Sequence, residues 1–445
     1  MNYKEAMAFL EDTKKYGSQL GLVSIRNLMK ELGNVQEQVP VVHIGGTNGK
    51  GSVGAMLSAV LTEAGYRVGR FDTPDVFAYE EEFLMNGVPV EKERLAQLFT
   101  EVSGACRKLT AKGLPHPTRF EVETAAAFLW FYEEKCDLAL VEVGMGGETD
   151  ATNLITRPLV SILTSISMDH MGFLGNTRKE IAAVKAGIIK KGRPVVSAGQ
   201  MQEVMAVIRR RAKQLHAPLT VADPSRADGI VCTPEETSFY VRDEENGERF
   251  RIRLGLPGVW QAENALCALD ALKILAAEYP AVTRETVLEG LRKVRWPGRL
   301  ERVSRNPAVF LDGAHNEDAV RRLRESLDLM YPEGKIIYIM GVLADKEYTG
   351  MIRMMFREGD LVFTVTPPNP RALSSEALAE ELEKQKIRAV SCGSAAEAVS
   401  RAAAEAGTQG IILAFGSLSY LAEIRRALAG KAEVGKRPRE GGSLF

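Results

Sequence analysis

In the run VPVVHIGGTNGKGSVGAMLSAVLTEAG, the residues Gly46, Thr47, Asn48, Gly49, Lys50, Gly51 and Ser52 combine three things that hold a phosphate. Glycines let the backbone come close to an anion, and the N-terminus of the helix that follows offers unpaired N–H groups carrying about half a positive charge. Lys50 adds a full cation, and the Ser52 hydroxyl suits a magnesium ion. The spacing departs from G-x-x-x-x-G-K-[ST], because Gly51 separates the lysine from the serine. The competing structural account is an ordinary glycine-rich turn with Lys50 in solvent.

Further along, DLALVEVG ends a strand pattern at Glu142 and runs into GMGGETDATN, which carries Asp150 and Asn153. An acid where a parallel strand ends, in the layer that holds a phosphate loop, is placed to ligate magnesium directly or through water. PLVSILTSI delivers Asp169 and His170 to the same edge, although magnesium favours oxygen over imidazole. In TRKEIAAVKAGIIKKG, Lys185 lies among small and apolar residues; it is either a snorkelling stem or a desolvated amine with chemistry of its own. Lys190 and Lys191 are expected near the end of that helix, where cations suit its dipole. Asp312 and His315 in FLDGAHN, Arg299 in WPGRLE and Asn264 on an earlier helix complete a set suited to the ribose, base and phosphates of a nucleotide held between two closing domains.

These residues need a frame, and the apolar patterning predicts one. Strand-like runs at Val39 to Ile44, YRVGRF, DLALVEVG and PLVSILTSI alternate with helical patterns from Val53, in EKERLAQLFTEVSGACRKL and around EVETAAAFLWFYEEK. That alternation predicts an α/β fold, a parallel sheet covered by helices on both faces in the manner of P-loop ATPases. The stretch from Val221 to Gly255 reads as antiparallel hairpins extending that sheet. After Trp296, Pro297 and Gly298, four more strand candidates (AVFLDGAHN, KIIYIMGVL, LVFTVTP, GIILAFGSL) predict a smaller, Rossmann-like α/β domain, which places the boundaries at 1–296 and 297–445. GKAEVGKRPREGGSLF reads as a frayed polar tail.

Composition narrows the function. A chain of 445 residues with a formal net charge of −1 has no global basic field for nucleic acid or an anionic membrane. The five cysteines are scattered, without metal-ligand spacing, which predicts reduced thiols. No segment has the apolar length of a membrane span, and the N-terminus lacks a signal-peptide core, so a cytoplasmic location is expected.

The ordered motifs GTNGKGS, EVGMGGETDATN, TSISMDHMGFLG, KAGIIK, PGRLE, DGAHN and GVLADKE resemble the folylpolyglutamate synthase and dihydrofolate synthase family of the Mur ligases over nearly the whole chain. The resemblance implies an ATP-binding Mur-ligase-like domain over 1–296 and a ligase domain over 297–445. Its implied reaction joins L-glutamate to the γ-carboxylate of a folate through an acyl phosphate, with dihydropteroate as a second acceptor; a monomer suits a clamp of two domains. It assigns Lys50 and the loop to ATP phosphates, Ser52 and Glu142 to Mg2+, and His170 to a second metal. Lys185 matches the lysine that becomes carbamylated, and Asn264, Arg299, Asp312 and His315 match nucleotide contacts. One segment departs from the family pattern: in DTPDVFAYEEEFLMNG, Asp75 replaces a histidine and Glu82 an arginine, and Glu148 also replaces an arginine. These changes bear on the acceptor rather than on ATP. The alternatives are a related carboxylate–amine ligase with another acidic acceptor, or a nucleotide-dependent switch without catalysis.

Overall fold

The computed structural model describes residues 1–17, 21–169, 171–242 and 247–434. The chain divides into two compact units. The first comprises Met1–Val231, Thr237–Gly255 and Trp260–Arg295; the second comprises Cys232–Glu236, Leu256–Val259 and Trp296–Phe445.

The first unit is built on an eight-stranded sheet of β1 (Val41–Gly45), β2 (Val68–Phe71), β3 (Phe83–Met85), β4 (Val88–Pro89), β5 (Leu138–Glu142), β6 (Val160–Leu163), β7 (Val195–Ala198) and β8 (Leu219–Ala222). Their order is β4-β3-β2-β5-β1-β6-β7-β8. β1 lies between β5 and β6 and is parallel to both, with Ile44 beside Glu142 and Gly45 beside Leu163. The loops after β1, β5 and β6 therefore leave from one edge of the sheet, where open α/β folds hold their ligands. β2 runs parallel to β5, whereas β3 returns antiparallel to β2.

Local chemistry explains the elements. The β-branched run of β1 is buried along its whole length, as a central parallel strand must be. Helix Lys50–Glu63 buries nine of its 14 residues and has Gly49 in a left-handed conformation before it. Helix Arg119–Glu133 starts on a reciprocal capping box of Thr118 and Glu121, and helix Arg178–Lys185 on one of Thr177 and Glu180. Aromatic residues from the helices and the strands, among them Phe71, Phe83, Phe99, Phe128 and Phe131, fill the core on one side of the sheet. A Cβ on Gly69 in β2 would sit 2.6 Å from the Phe131 ring, so that strand position must be bare for the ring to pack.

Two expectations change. The hairpin region forms a separate three-stranded sheet of β9 (Ala227–Cys232), β10 (Thr237–Arg242) and β11 (Arg249–Leu254), not an extension of the main one. Only Leu219–Ala222, just before it, joins the large sheet, because its parallel pairing with β7 ends at Ala222. Helix Arg178–Lys185 stops at Lys185 and gives way to a short 3-10 turn over Ala186–Ile188, so Lys190 and Lys191 lie beyond it.

The second unit holds a six-stranded sheet of β12 (Glu301–Arg305), β13 (Ala308–Leu311), β14 (Ile336–Met340), β15 (Leu361–Thr364), β16 (Arg388–Ser391) and β17 (Ile411–Phe415), ordered β12-β13-β17-β14-β15-β16. β12 is antiparallel to β13, and the remaining pairings are parallel. The final helix continues to Val434, into the start of the stretch read as a frayed tail, whose residues 435–445 lie outside the described ones. Among the described residues no helix is long and apolar enough to cross a membrane.

Candidate active site

The phosphate-loop segment is clamped from below by the segment that follows β6. Thr47 and Asn48 donate their backbone N–H groups to Ser165 O at 2.7 and 3.2 Å. The Thr47 hydroxyl and the Ser167 backbone exchange two further bonds of 3.2 Å, and Asn48 Nδ2 reaches Ser167 Oγ at 3.2 Å. Thr47 and Asn48 thus spend their N–H groups on shaping the loop. The donors available to an anion are those of the first helical turn, from Lys50, Gly51 and Ser52, which have no partner within a helix.

Two glycines in the loop are obligatory. Gly46 has φ +141° and a Cβ there would meet Thr164 Oγ1 at 1.9 Å; Gly49 has φ +94° and its Cβ would meet Asn264 Oδ1 at 2.4 Å. Asn264 therefore packs directly on the loop. Its Nδ2 donates to Gln261 Oε1 at 2.9 Å, and Gln261 Nε2 donates to Ser52 Oγ at 3.3 Å. Gln261 escaped the sequence reading, although it stands three residues before Asn264 in QAEN and so shares a helix face with it.

Around the mouth of the loop the charges interlock. Lys50 Nζ lies 3.4 Å from Glu142 Oε1, so the residues assigned to phosphate and to metal pair with each other. Asp72, directly after β2, forms a buried ion pair of 2.6 Å with Arg70, whose other nitrogen donates to Gly51 O at 2.6 Å. Burial raises the Asp72 carboxyl to about 7; Arg70 pulls it down, and the neighbouring Glu142 pushes it further up. Neither Arg70 nor Asp72 was singled out from sequence, yet an acid immediately after a strand, as in FDTP, is the same signal that identified Glu142.

Lys185 is buried, and its Nζ donates to Gly46 O at 2.8 Å. Burial, and then Lys50, lower its pKa from 10.5 to about 7. The approach is tight: a Cβ on Gly147 would stand 2.7 Å from Val184 O, and one on Gly187 would stand 2.5 Å from Glu148 Cα. The glycine-rich loop after β5 consequently lies flat on the end of the Lys185 helix.

Asp150 and Asn153, read beforehand as edge residues, hold that loop. Asp150 accepts from Met145 N at 2.8 Å, Thr152 N at 3.0 Å and Thr152 Oγ1 at 2.6 Å. Asn153 Nδ2 donates to Glu148 O at 2.9 Å, while its Oδ1 accepts from Lys190 Nζ at 2.7 Å. Lys190 thereby serves the loop and not a helix dipole, and burial lowers its pKa to about 8. Below the loop, His43 in the middle of β1 is bonded through Nε2 to Thr152 Oγ1 at 2.9 Å. Burial takes its pKa down to about 3, so it is a neutral structural group. A histidine inside the apolar run VVHIG was the available hint.

Asp169 is half-buried at the same edge. His170, expected near a second metal, lies outside the described residues. In the second unit, Asp312 is buried and spends its oxygens on Leu300 N and Ala314 N, each at 2.7 Å. His315 Nδ1 is 2.8 Å from Gly313 O, and a Cβ on Gly313 would stand 2.5 Å from an Arg299 nitrogen. Arg299, Asp312 and His315 thus form one local group, with Asp312 fixing the turn that carries Arg299. All five cysteines are buried, and among the described residues none is in a disulfide.

Residues 44–272 match the Mur ligase middle domain, and residues 298–418 match the Mur ligase glutamate ligase domain. The chain is 36% identical to a dihydrofolate synthase/folylpolyglutamate synthase of Bacillus subtilis, across 96% of this chain and 99% of that one. It is 31% identical to a folylpolyglutamate synthase of Lacticaseibacillus casei, across 97% and 99%. The folylpolyglutamate synthase of Mycobacterium tuberculosis, solved with ADP and AMPPCP, superposes with a TM-score of 0.84 at 28% identity, across 98% of this chain and all of the other. With the phosphate-loop edge and these matches together, the chain belongs to the folylpolyglutamate and dihydrofolate synthase family of the Mur ligases.

Proposed function

We propose that this chain is an ATP-dependent ligase that forms an amide between L-glutamate and the carboxylate of a folate or of dihydropteroate. The observation that carries the reading is the convergence of Lys50 and the buried Lys185 on one phosphate-type loop, with Glu142 closing the ring. A switch needs nucleotide contacts alone; it does not need a costly buried amine against the loop carbonyl.

A carboxylate is a poor electrophile, so ATP first phosphorylates it, and the amine of glutamate attacks the acyl phosphate through a tetrahedral intermediate before phosphate leaves. Lys50 and the first-turn N–H groups neutralise phosphate charge. Ser52 and Glu142, with Asp72 beside them, offer a hydroxyl and two carboxylates, an all-oxygen set that fits magnesium, which takes one or two carboxylates and fills its other positions with water and phosphate. Magnesium bound there supplies further neutralisation of the transferring oxygens. Lys185 is the candidate for carbamylation by carbon dioxide: a pKa near 7 leaves a large neutral fraction at physiological pH, and only the neutral amine adds to carbon dioxide. Asn264 supports the loop from the first unit, and Arg299, Asp312 and His315 are the nucleotide-contacting candidates of the second.

The test is a product assay with ATP, magnesium, L-glutamate and a panel of pteroates and folates. Phosphate release that requires both the amino acid and the pteroate-type acceptor, with a glutamylated product, is expected. ATP hydrolysis indifferent to both would overturn the reading.

A further inference from the structure

Arg70 lies inside the buried strand β2, where a guanidinium is costly and needs a reason. Alternate residues of a strand face opposite sides: Gly69 lies against Phe131 and Phe71 joins the aromatic core, so Arg70 turns the other way, toward helix Lys50–Glu63. It is only 3% exposed. Its Nη2 donates to Gly51 O at 2.6 Å, and its Nε lies 2.6 Å from Asp72 Oδ2. Gly54, one turn along the helix from Gly51, makes the room, because a Cβ there would stand 3.1 Å from Arg70 Nε. A buried ion pair is often no more stabilising than apolar side chains of similar volume, so packing alone does not account for this one.

The atom that Arg70 holds belongs to the first turn of the phosphate-loop helix. Gly51 C=O and Ser52 N–H are the two ends of one planar trans peptide, so they point in opposite directions. A guanidinium that fixes the oxygen therefore aims the N–H out of the helix N-terminus, toward the place of an anion. Charge adds to direction, since a hydrogen bond to the carbonyl polarises the peptide and makes its N–H a stronger donor. The Arg70–Asp72 pair is neutral as a whole, but its positive end is the one against the loop. Its negative end stands beside Glu142, because β2 pairs with β5 so that Phe71 faces Val141.

We propose that Arg70 is a positioning residue for the phosphates of ATP: through the Gly51–Ser52 peptide it aims and strengthens the Ser52 N–H, while Asp72 keeps the guanidinium in place. The inference rests on the phosphate-loop reading above. Buried beneath the helix, Arg70 acts on the nucleotide only through that peptide, so its effect is confined to the phosphate end. A lysine in its place would keep the charge but could not serve Gly51 O and Asp72 from two separate nitrogens, as a guanidinium does.

The experiment titrates the full chain, with magnesium present, against AMPPCP, which carries the phosphates, and against adenosine, which carries none, each by competition with a fluorescent ATP derivative. Arg70→Met is expected to bind AMPPCP about 10-fold more weakly, the scale of one hydrogen bond to a charged group, with adenosine held within about twofold. Under turnover, KM for ATP rises by a similar factor while kcat falls less, and Arg70→Lys recovers part of the loss. Arg70→Met strands Asp72 in the interior and may be poorly folded for that reason alone. The double variant Arg70→Met, Asp72→Asn removes both charges, and set against Asp72→Asn alone it is expected to show the same selective loss of AMPPCP. Equal losses for AMPPCP and adenosine, or the same AMPPCP affinity in the double variant as in Asp72→Asn, overturn the role of Arg70 and leave the phosphate loop standing. An intact chain that holds AMPPCP no better than adenosine removes both.

Discussion

A lysine that hides its ammonium from water does so at a cost, and Lys185 shows where that cost falls. Its pKa is about 7 in the fold against an ordinary 10.5, with burial as the main cause. Between those values the unfolded chain binds the extra proton, so for the unmodified amine stability rises with pH from about 7 toward 10, and the full penalty applies below 7. Lys185→Met is accordingly expected to melt higher than the parent at pH 6, by an amount that shrinks at pH 9, as read by circular dichroism at both values. Activity should move oppositely. Lys185→Ala is expected to lose about 100-fold or more in kcat, the scale of removing one group that stabilises transition-state charge, and to recover part of it with added formate or acetate. The parent's kcat should climb between pH 6 and pH 8 and should depend on dissolved carbon dioxide. Full native activity in Lys185→Ala would remove the amine from the mechanism.

At the scale of elements, the strand–loop–helix unit of β1 and Lys50–Glu63 works only because two glycines leave room for their neighbours. In Gly49→Ala the new methyl meets Asn264 Oδ1 and the backbone must hold φ +94°, which together should cost about 1–3 kcal/mol. The displaced Asn264 also loosens the Gln261–Ser52 contact, so KM for ATP should rise more than kcat falls; a double variant Gly49→Ala, Asn264→Ala should regain only the part of the stability lost to the clash, because the φ +94° strain stays. Elements of this kind were legible beforehand. β1, β5, β6 and the helices between them announce themselves by apolar period, Lys50 and Glu142 by residue type in a glycine-rich loop and at a strand end, and Lys185 as an amine amid small and apolar residues. What stayed hidden was long-range partnership. Nothing local in TSIS reveals that Ser165 O captures two loop N–H groups, or that Asp150 and Asn153 fasten their own loop. The separate sheet of β9, β10 and β11 was missed for the same reason, since alternation predicts strands but not which sheet they join.

For the whole molecule, the chain path decides what can be cut. Trp296 begins the main run of the second unit, but Cys232–Glu236 and Leu256–Val259 also belong to it. Within that unit, Gly258 N donates to Cys232 Sγ at 3.1 Å, Val259 N to Ser326 Oγ at 3.0 Å, and Arg302 pairs with Glu235. Leu256 is buried as well. A fragment beginning at Pro297 therefore keeps its six-stranded sheet yet loses those two segments, leaving Ser326 without its backbone donor and a patch of apolar core open to water. Each lost buried side chain costs about 1.5–3 kcal/mol, and a domain of this size has only about 5–15 kcal/mol in hand. The fragment 297–445 is expected to fold with native-like helix content but to melt well below the corresponding transition of the intact chain. Adding the missing segments back through a short linker should recover most of the difference. A fragment that melts at the intact chain's temperature would mean that the two inserted segments are passengers and that the single cut after Trp296 is a true boundary.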